Sequence, residues 1–268
     1  MNSLFLSITW DASPEMFSIG SVTLRYYGFL FVTGFIIGFF ILKKHFKAEG
    51  KSPDEVDSLI VYSFLVAVLA SRLGHVFFYE PAYYLANPSK ILKVWEGGVA
   101  SHGAVFGLIL FFIYYCKKKR WNFLWLLDRV TIPGALAAAM IRIGNLMNSE
   151  IYGRDTEMSW GFIFVNKGET VPKHPTQIYE AIAYLIVFVV LILIYRKFKT
   201  KAPVGLLTSW FLILLFGFRF IIEFVKEVQV DFEASMPINM GQILSIPFVI
   251  AGIVLLMNLR RVQPSKKK

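Results

Sequence analysis

Seven apolar segments dominate this 268-residue sequence, near Arg25–Leu42, Leu59–Phe78, Ser101–Cys116, Thr131–Met147, Thr176–Tyr195, Val204–Phe224 and Met240–Asn258. About twenty helical residues cross roughly 30 Å of hydrocarbon. A backbone surrounded by lipid must satisfy its own hydrogen bonds, and helices do so within each segment. The expected fold class is therefore an all-α integral membrane protein of about seven transmembrane helices. The third and fourth segments are short for a span. Composition agrees: 56% of residues are hydrophobic and 17% charged, too little charge to cover a soluble surface of this size. No internal repeat or low-complexity linker interrupts the pattern, so one transmembrane domain over residues 1–268 is expected.

The net charge of +10 would suggest nucleic acid in a soluble protein. Here the basic residues cluster between apolar segments, at Lys43, Lys44 and Lys47, at 117–120, at Arg196, Lys197, Lys199 and Lys201, and at Arg260, Arg261 and 266–268. That spacing fits cytoplasmic loops against anionic lipid heads, so the expected partner is the bilayer and not nucleic acid. Lys and Arg are more than twofold enriched in one set of alternate loops, which holds Lys51 and Arg129 as well. The sparser set holds Arg25, Lys90, Lys93, Arg154, Lys167, Lys173 and Lys226. The N-terminus is then outside and the C-terminus cytoplasmic. The first twenty residues lack the basic start of a cleavable signal peptide, so the first span is expected to direct insertion.

Two outer loops are long. Residues 79–100 form a Tyr-rich periplasmic arm with Gly97–Gly98, and 148–175 a small polar periplasmic subdomain with a candidate strand at Trp160–Val165. Trp95, Trp160, Tyr83 and Tyr84 suit an interfacial aromatic belt. The basic tail, 259–268, is cytoplasmic, and its end from Gln263 is expected to be disordered. The single cysteine, Cys116, allows no internal disulfide, and the scattered His45, His75, His102 and His174 suggest no metal set. No cofactor motif is present.

A charge in the bilayer core costs about 2.5–3.5 kcal/mol or more, so charged residues in spans need reasons. Arg72, His75, His102, Arg142, Asn145, Asn148, Glu150, His174, Gln177, Glu180, Arg219, Glu223 and Gln242 lie within or at the edges of spans, and most map to outer ends. One polar cavity near the outer leaflet explains them economically. Plainer readings stand beside it. Arg219 and Glu223, four apart, can neutralise each other. Arg72 can snorkel to head groups. His75 and Tyr27 suit interfacial positions. His102, set among Gly97, Gly98 and Gly103, and the run 142–153 are harder to explain as packing.

These residues carry a resemblance. The run Arg142-Ile143-Gly144-Asn145-Leu146-Met147-Asn148-Ser149-Glu150-Ile151-Tyr152-Gly153 is similar to the G-R-x-G-N-F-x-N-x-E-x-x-G motif of prolipoprotein diacylglyceryl transferases. Tyr27-Gly28, Gly97-Gly98 with Ser101-His102-Gly103, the run His174 to Glu180, Arg219 to Glu223, and Met240 to Ser245 also resemble that family, in the same order. The chain departs from the pattern at Ile141 (Gly in the family), Leu146 (Phe) and Leu215 (Tyr).

The resemblance implies transfer of a diacylglyceryl group from phosphatidylglycerol to the lipobox cysteine of a prolipoprotein, at the periplasmic leaflet of the bacterial inner membrane. It implies catalytic roles for His102, Arg142, Arg219 and Glu223, and substrate binding by Tyr27, Gly103, Asn145, Asn148, Glu150, Gly153, His174, Gln177 and Gln242. The chemistry of the residues is consistent with this. Guanidinium groups hold phosphate oxygens bidentately, and a low dielectric strengthens them against a leaving phosphate. Thiol-to-imidazole proton transfer is about two pKa units uphill, roughly 2.7 kcal/mol, which an enzymatic barrier accommodates. His102 can thus act as base, or only position substrate if the arginine field itself yields thiolate. A transporter sharing the cavity would thread polar groups through both leaflets and show an inverted repeat. Another phospholipid-dependent transferase would differ only in its acceptor.

Overall fold

The structure, a computed structural model, describes residues 7–20, 22–94, 97–98, 100–227 and 236–262. Trp95 and the tail from Gln263 lie outside the described residues. Helices dominate: α1 (Tyr26–Ala48), α2 (Pro53–Phe78), α3 (Pro81–Ala86), α4 (Ser101–Lys119), α5 (Phe123–Met147), α6 (Thr176–Phe198), α7 (Leu206–Ile222) and α8 (Met240–Val262). Six spans among the described residues are long and apolar enough to cross a membrane: Tyr26–Ala48, Pro53–Phe78, Phe123–Met147, Thr176–Lys201, Leu206–Val225 and Met240–Leu259. The chain is an integral, multi-pass membrane protein. The expected third span does form a helix of 19 residues, α4, but it is not one of the six. His102 at its start and Lys117, Lys118 and Lys119 at its end dilute its hydropathy.

The chain divides into two compact units, one of Met1–Ile41 with Leu127–Lys268, the other of Leu42–Leu126. In the second unit, α2 begins at Pro53, where the Ser52 side chain accepts from the Asp54 N–H, and Asp54 and Glu55 complement the positive helix end. Arg72 does not snorkel. It is 2% exposed, donates to the carbonyls of Lys90 (2.7 Å), Ile91 (2.9 Å), Gly97 and Gly98, and lies under the Tyr84 ring. One buried guanidinium thus holds Lys90, Ile91, Gly97 and Gly98 of the outer arm by their carbonyls. Tyr84 is buried rather than part of a belt, while Tyr83 is exposed.

In the first unit, α6 and α7 pack through Ala183, Tyr184, Val187 and Leu191 against Leu207, Leu215 and Ile222, with Ile132, Ala135 and Ala139 of α5. The sequence places the fourth span at Thr131–Met147, yet α5 starts at Phe123. The extension brings charge into the helix, and the structure satisfies it. Asp128, fully buried, accepts from Gly205 N (2.7 Å), Thr208 N (2.8 Å) and the Thr208 hydroxyl (2.7 Å). It caps α7 from a neighbouring helix, behind left-handed Gly205. Arg129, read from the sequence as a loop cation, is 1% exposed and lies 3.6 Å from Asp128.

Among the described residues, four short strands complete this unit. β1 (Ile8–Trp10) pairs in parallel with β4 (Phe162–Phe164), which falls inside the candidate strand at 160–165. β2 (Glu15–Ile19) and β3 (Val22–Arg25) form an antiparallel pair ahead of α1. Phe162 also exchanges backbone bonds with Lys173, so β4 is held on both edges.

Candidate functional site

Polar groups buried in an apolar unit need partners, and in the first unit five charged side chains from α5, α6 and the end of α7 form one connected chain. Arg142, on the last turns of α5, places Nε 3.0 Å from the Glu180 carboxylate of α6. Glu180 is fully buried, and its other oxygen accepts from Lys226 Nζ and from the Tyr184 hydroxyl, each at 3.2 Å. Lys226, 3% exposed, also donates to Glu223 at 2.9 Å. Glu223 in turn lies 3.7 Å from Arg219 Nε. The order is Arg142, Glu180, Lys226, Glu223, Arg219, cation alternating with carboxylate, with an arginine at each end.

That arrangement settles how Arg219 and Glu223 pair. They do face each other at helical spacing, but Glu223 is closer to Lys226 than to Arg219. Three cations against two carboxylates leave one surplus positive charge along the chain. The middle is sealed, whereas the ends are not: the Arg142 and Arg219 side chains are 14% and 32% exposed.

A second network adjoins Arg142. Its guanidinium donates to Asn145 Oδ1 at 3.1 Å, and the Asn145 amide donates to Glu150 Oε1 at 2.7 Å. Asn148 donates to the same oxygen at 3.2 Å, and Gln177 Nε2 to the Glu150 carbonyl at 2.8 Å. Between these residues the chain turns with Ser149 (φ 52°) and Ile151 (φ 61°) in the left-handed region, uncommon for such side chains. Their surroundings fix the turn: Gly153 N bonds His174 O at 2.8 Å, and the Thr176 hydroxyl bonds Ile151 O at 2.9 Å. Gly153 must be glycine here, because a Cβ would lie 2.8 Å from both His174 Cβ and Thr176 Cγ2. Tyr27 joins by its ring, which occupies the space a Cβ on Gly144 would need.

Four other candidates have different surroundings. Gln242 closes a reciprocal cap at the start of α8: its N–H donates to Asn239 Oδ1 at 2.9 Å, and its side-chain oxygen accepts from Asn239 N at 3.1 Å. The Asn239 amide then donates to Glu223 Oε2 at 3.1 Å, which ties the cap to the ion chain. The His174 ring bonds the Tyr179 hydroxyl at 3.2 Å, next to Trp160 Nε1 at 2.9 Å from the same oxygen. Burial lowers the His174 pKa below the usual histidine range. His102 and Gly103 belong to the second unit, where they open α4. His102 is exposed, and Gly103 packs so closely on α2 that a Cβ would lie 3.0 Å from Gly74 Cα and collide with the Ala70 carbonyl.

The structure therefore brings together Arg142, Asn145, Asn148, Glu150, Gly153, Gln177, Arg219, Glu223 and Gln242, with Tyr27 against the same helix. Missing from the sequence-derived set are Lys226, Tyr184 and Asn239, while Glu180 is placed with the cavity by the sequence but given no role there. Glu180 had a signal, as a carboxylate inside an apolar helix. Asn239 had one too, the Asn-x-x-Gln spacing of a cap. Lys226 reads in sequence as one more loop cation. Among the described residues, no group of three or more His, Cys, Asp or Glu could hold a metal ion.

The family model described as prolipoprotein diacylglyceryl transferase matches residues 14–258. The chain is 44% identical over 250 residues to a phosphatidylglycerol–prolipoprotein diacylglyceryl transferase of Chloroherpeton thalassium, covering 93% of each. It is 45% identical over 249 residues to one of Tolumonas auensis, covering 92% of this chain and 96% of the relative. It is 46% identical over 264 residues to one of Porphyromonas gingivalis, covering 93% of each.

Proposed function

The chain belongs to the prolipoprotein diacylglyceryl transferase family, and from that premise we propose that it transfers the diacylglyceryl group of phosphatidylglycerol to the lipobox cysteine of prolipoproteins. This is the first step of bacterial lipoprotein maturation. The acceptor sulfur forms a bond to the glycerol carbon that bears the phosphate. The carbon–oxygen bond breaks, its electron pair stays on the phosphate oxygen, and glycerol phosphate leaves.

The observation that carries this reading at the site is the ion chain from Arg142 to Arg219. Its arginine ends are the reachable parts, and a guanidinium is a forked donor suited to the oxygens of a phosphodiester. As the carbon–oxygen bond breaks, negative charge grows on the phosphate, and guanidinium groups already fixed by Glu180 and Glu223 stabilise it without reorganising. Asn145, Asn148 and Glu150 hold Arg142 in place and, with Tyr27, Gly153, Gln177, His174 and Gln242, line the lipid headgroup site. His102, exposed at the start of α4, takes the thiol proton, and Gly103 lies beside it. The nucleophile belongs to the acceptor, so buried Cys116 has no part in the chemistry.

The reaction needs lipid from the outer leaflet and a signal-peptide helix from the bilayer. We assign seven crossings in the inner membrane, α4 among them, since 19 helical residues reach roughly 28 Å. The skew of Lys and Arg puts the N-terminus, the 79–100 arm and the 148–175 subdomain on the periplasmic side. The test is purified protein with phosphatidylglycerol vesicles and a lipobox peptide. Transfer adds the mass of one diacylglyceryl group to the peptide cysteine and releases equimolar glycerol phosphate; a modified peptide without that release, or no modification, overturns the assignment.

A further inference from the structure

Resting on that reading of the reaction, we propose that Trp10 is a positioning residue: its indole N–H latches the last turn of α5 and so holds Asn145, Asn148 and Glu150 at the headgroup site. A helix end leaves its final carbonyls without partners inside the helix. One of them, Leu146 O, accepts from Ser149 N at 3.0 Å and from Trp10 Nε1 at 3.1 Å. Leu146 lies between Asn145 and Asn148, whose amides converge on one oxygen of Glu150. The latch thus acts on the backbone between the two residues that orient the carboxylate.

Trp10 is itself held from elsewhere. β1 pairs with β4 in the register Ile8–Phe162, Thr9–Ile163 and Trp10–Phe164. Ile8 N donates to Gly161 O, and Asn166 Nδ2 to Ala12 O, both at 2.9 Å. The Trp10 ring lies 5.3 Å from that of Phe162 and packs on the Leu146, Phe162 and Phe164 cluster. Two-stranded pairs are marginal alone, so this packing is what keeps β1 in place. The turn that follows Leu146 needs such restraint, because left-handed Ser149 and Ile151 persist only where surrounding contacts over-determine them. The N-terminal strand is therefore a strap, with Trp10 as its point of contact with the reacting region.

The test compares wild type, Trp10→Phe, Asn145→Ala and the Trp10→Phe/Asn145→Ala double variant, each as full-length protein in phosphatidylglycerol nanodiscs. Trp10→Phe keeps the ring on Phe162 and removes only the donor. Two readouts are taken: transfer to a lipobox peptide, and hydrogen exchange of the 145–153 amides. Trp10→Phe is expected to exchange faster over 145–153 and to lower kcat about fivefold, as losing one hydrogen bond allows, with the KM for the peptide unchanged. In the Asn145→Ala background it has no further effect on rate, because it acts through that turn; a merely structural role would add its loss in full. Unchanged exchange, an unchanged rate, or additive losses each overturn the latch. A wild-type protein that transfers nothing counts against the reaction instead, and the exchange rates still decide whether the latch exists.

Discussion

The Arg142 guanidinium lies 3.0 Å from the Glu180 carboxylate, and that carboxylate is completely shielded from solvent. Removing one partner of a buried ion pair typically costs about 3–5 kcal/mol, because the other charge is left uncompensated. Glu180 neutralises two cations, Arg142 and Lys226, so its loss is felt at both. Glu180→Gln is expected to lower stability in detergent by that order and transfer by about a hundredfold, since the reacting geometry shifts with Arg142. Thermal unfolding together with rate shows it; a stable, fully active variant would detach Glu180 from the site.

Lys226 joins the two carboxylates, so its replacement tests whether the ion chain acts as a unit. Lys226→Met leaves Glu180 and Glu223 each with its arginine as the one remaining cation of the ion chain. Arg142 and Arg219 are then drawn into full ion pairs, with less positive field for a phosphate. The expected result is a raised KM for phosphatidylglycerol as well as reduced stability, while Lys226→Arg restores part of both. A Lys226→Met variant with a wild-type KM for lipid contradicts the shared charge.

Gln242 distinguishes capping from substrate contact. Its side-chain oxygen accepts from Asn239 N at 3.1 Å and its amide nitrogen donates to Phe220 O at 3.4 Å, so both ends of the amide are engaged within the fold. Gln242→Ala should cost about 1 kcal/mol, the usual worth of a cap interaction. It should lower kcat through the Asn239–Glu223 link while leaving the KM for either substrate near wild type. A selective rise in one KM would assign Gln242 to that substrate.

The 148–175 subdomain should lose stability at both ends of the pH scale. Burial lowers the His174 pKa, so as pH falls below about 6.5 the unfolded chain gains a proton the fold resists, and stability drops. Burial, reinforced by the bond to Glu169, pushes Tyr152 up to about 12. Burial would lower Lys173, but its bonds to Asp155 and Glu227 outweigh that and hold it above the usual lysine range. Both raised groups favour the fold until the unfolded chain starts to deprotonate, so their contribution is lost as pH rises above about 10. Trp160 fluorescence, next to Tyr179 and His174, should report a plateau between these limits. His174→Asn should flatten the acid side alone.

Six of the expected spans were legible because apolar runs of this length have few alternative fates, and the 142–153 run because a membrane helix rarely ends in Arg, two Asn and Glu without reason. Partners were not legible. The sequence spacing of Arg219 and Glu223 suggests a private pair, but Lys226 competes for the same oxygen once the chain turns after α7. Arg72 reads as a snorkelling side chain until the arm folds back to offer it four carbonyls. Asp128 and Arg129 read as a loop because two charges interrupt an apolar pattern, and the start of α7 supplies the donors that satisfy Asp128 inside the helix. Trp10 gave no signal: a lone tryptophan ahead of the first span carries no periodicity, and its partner is 136 residues away.

The central claim is that Arg142 and Arg219, at opposite ends of one ion chain, act on the same phosphate. A double-mutant cycle on the transfer rate, with Arg142→Lys, Arg219→Lys and both together, tests it most directly, since lysine keeps the charge and removes the bidentate fork. The account predicts that each single change slows transfer strongly and that the double variant is little slower than the worse single one. Losses that simply multiply, or wild-type transfer in either single variant, would contradict it.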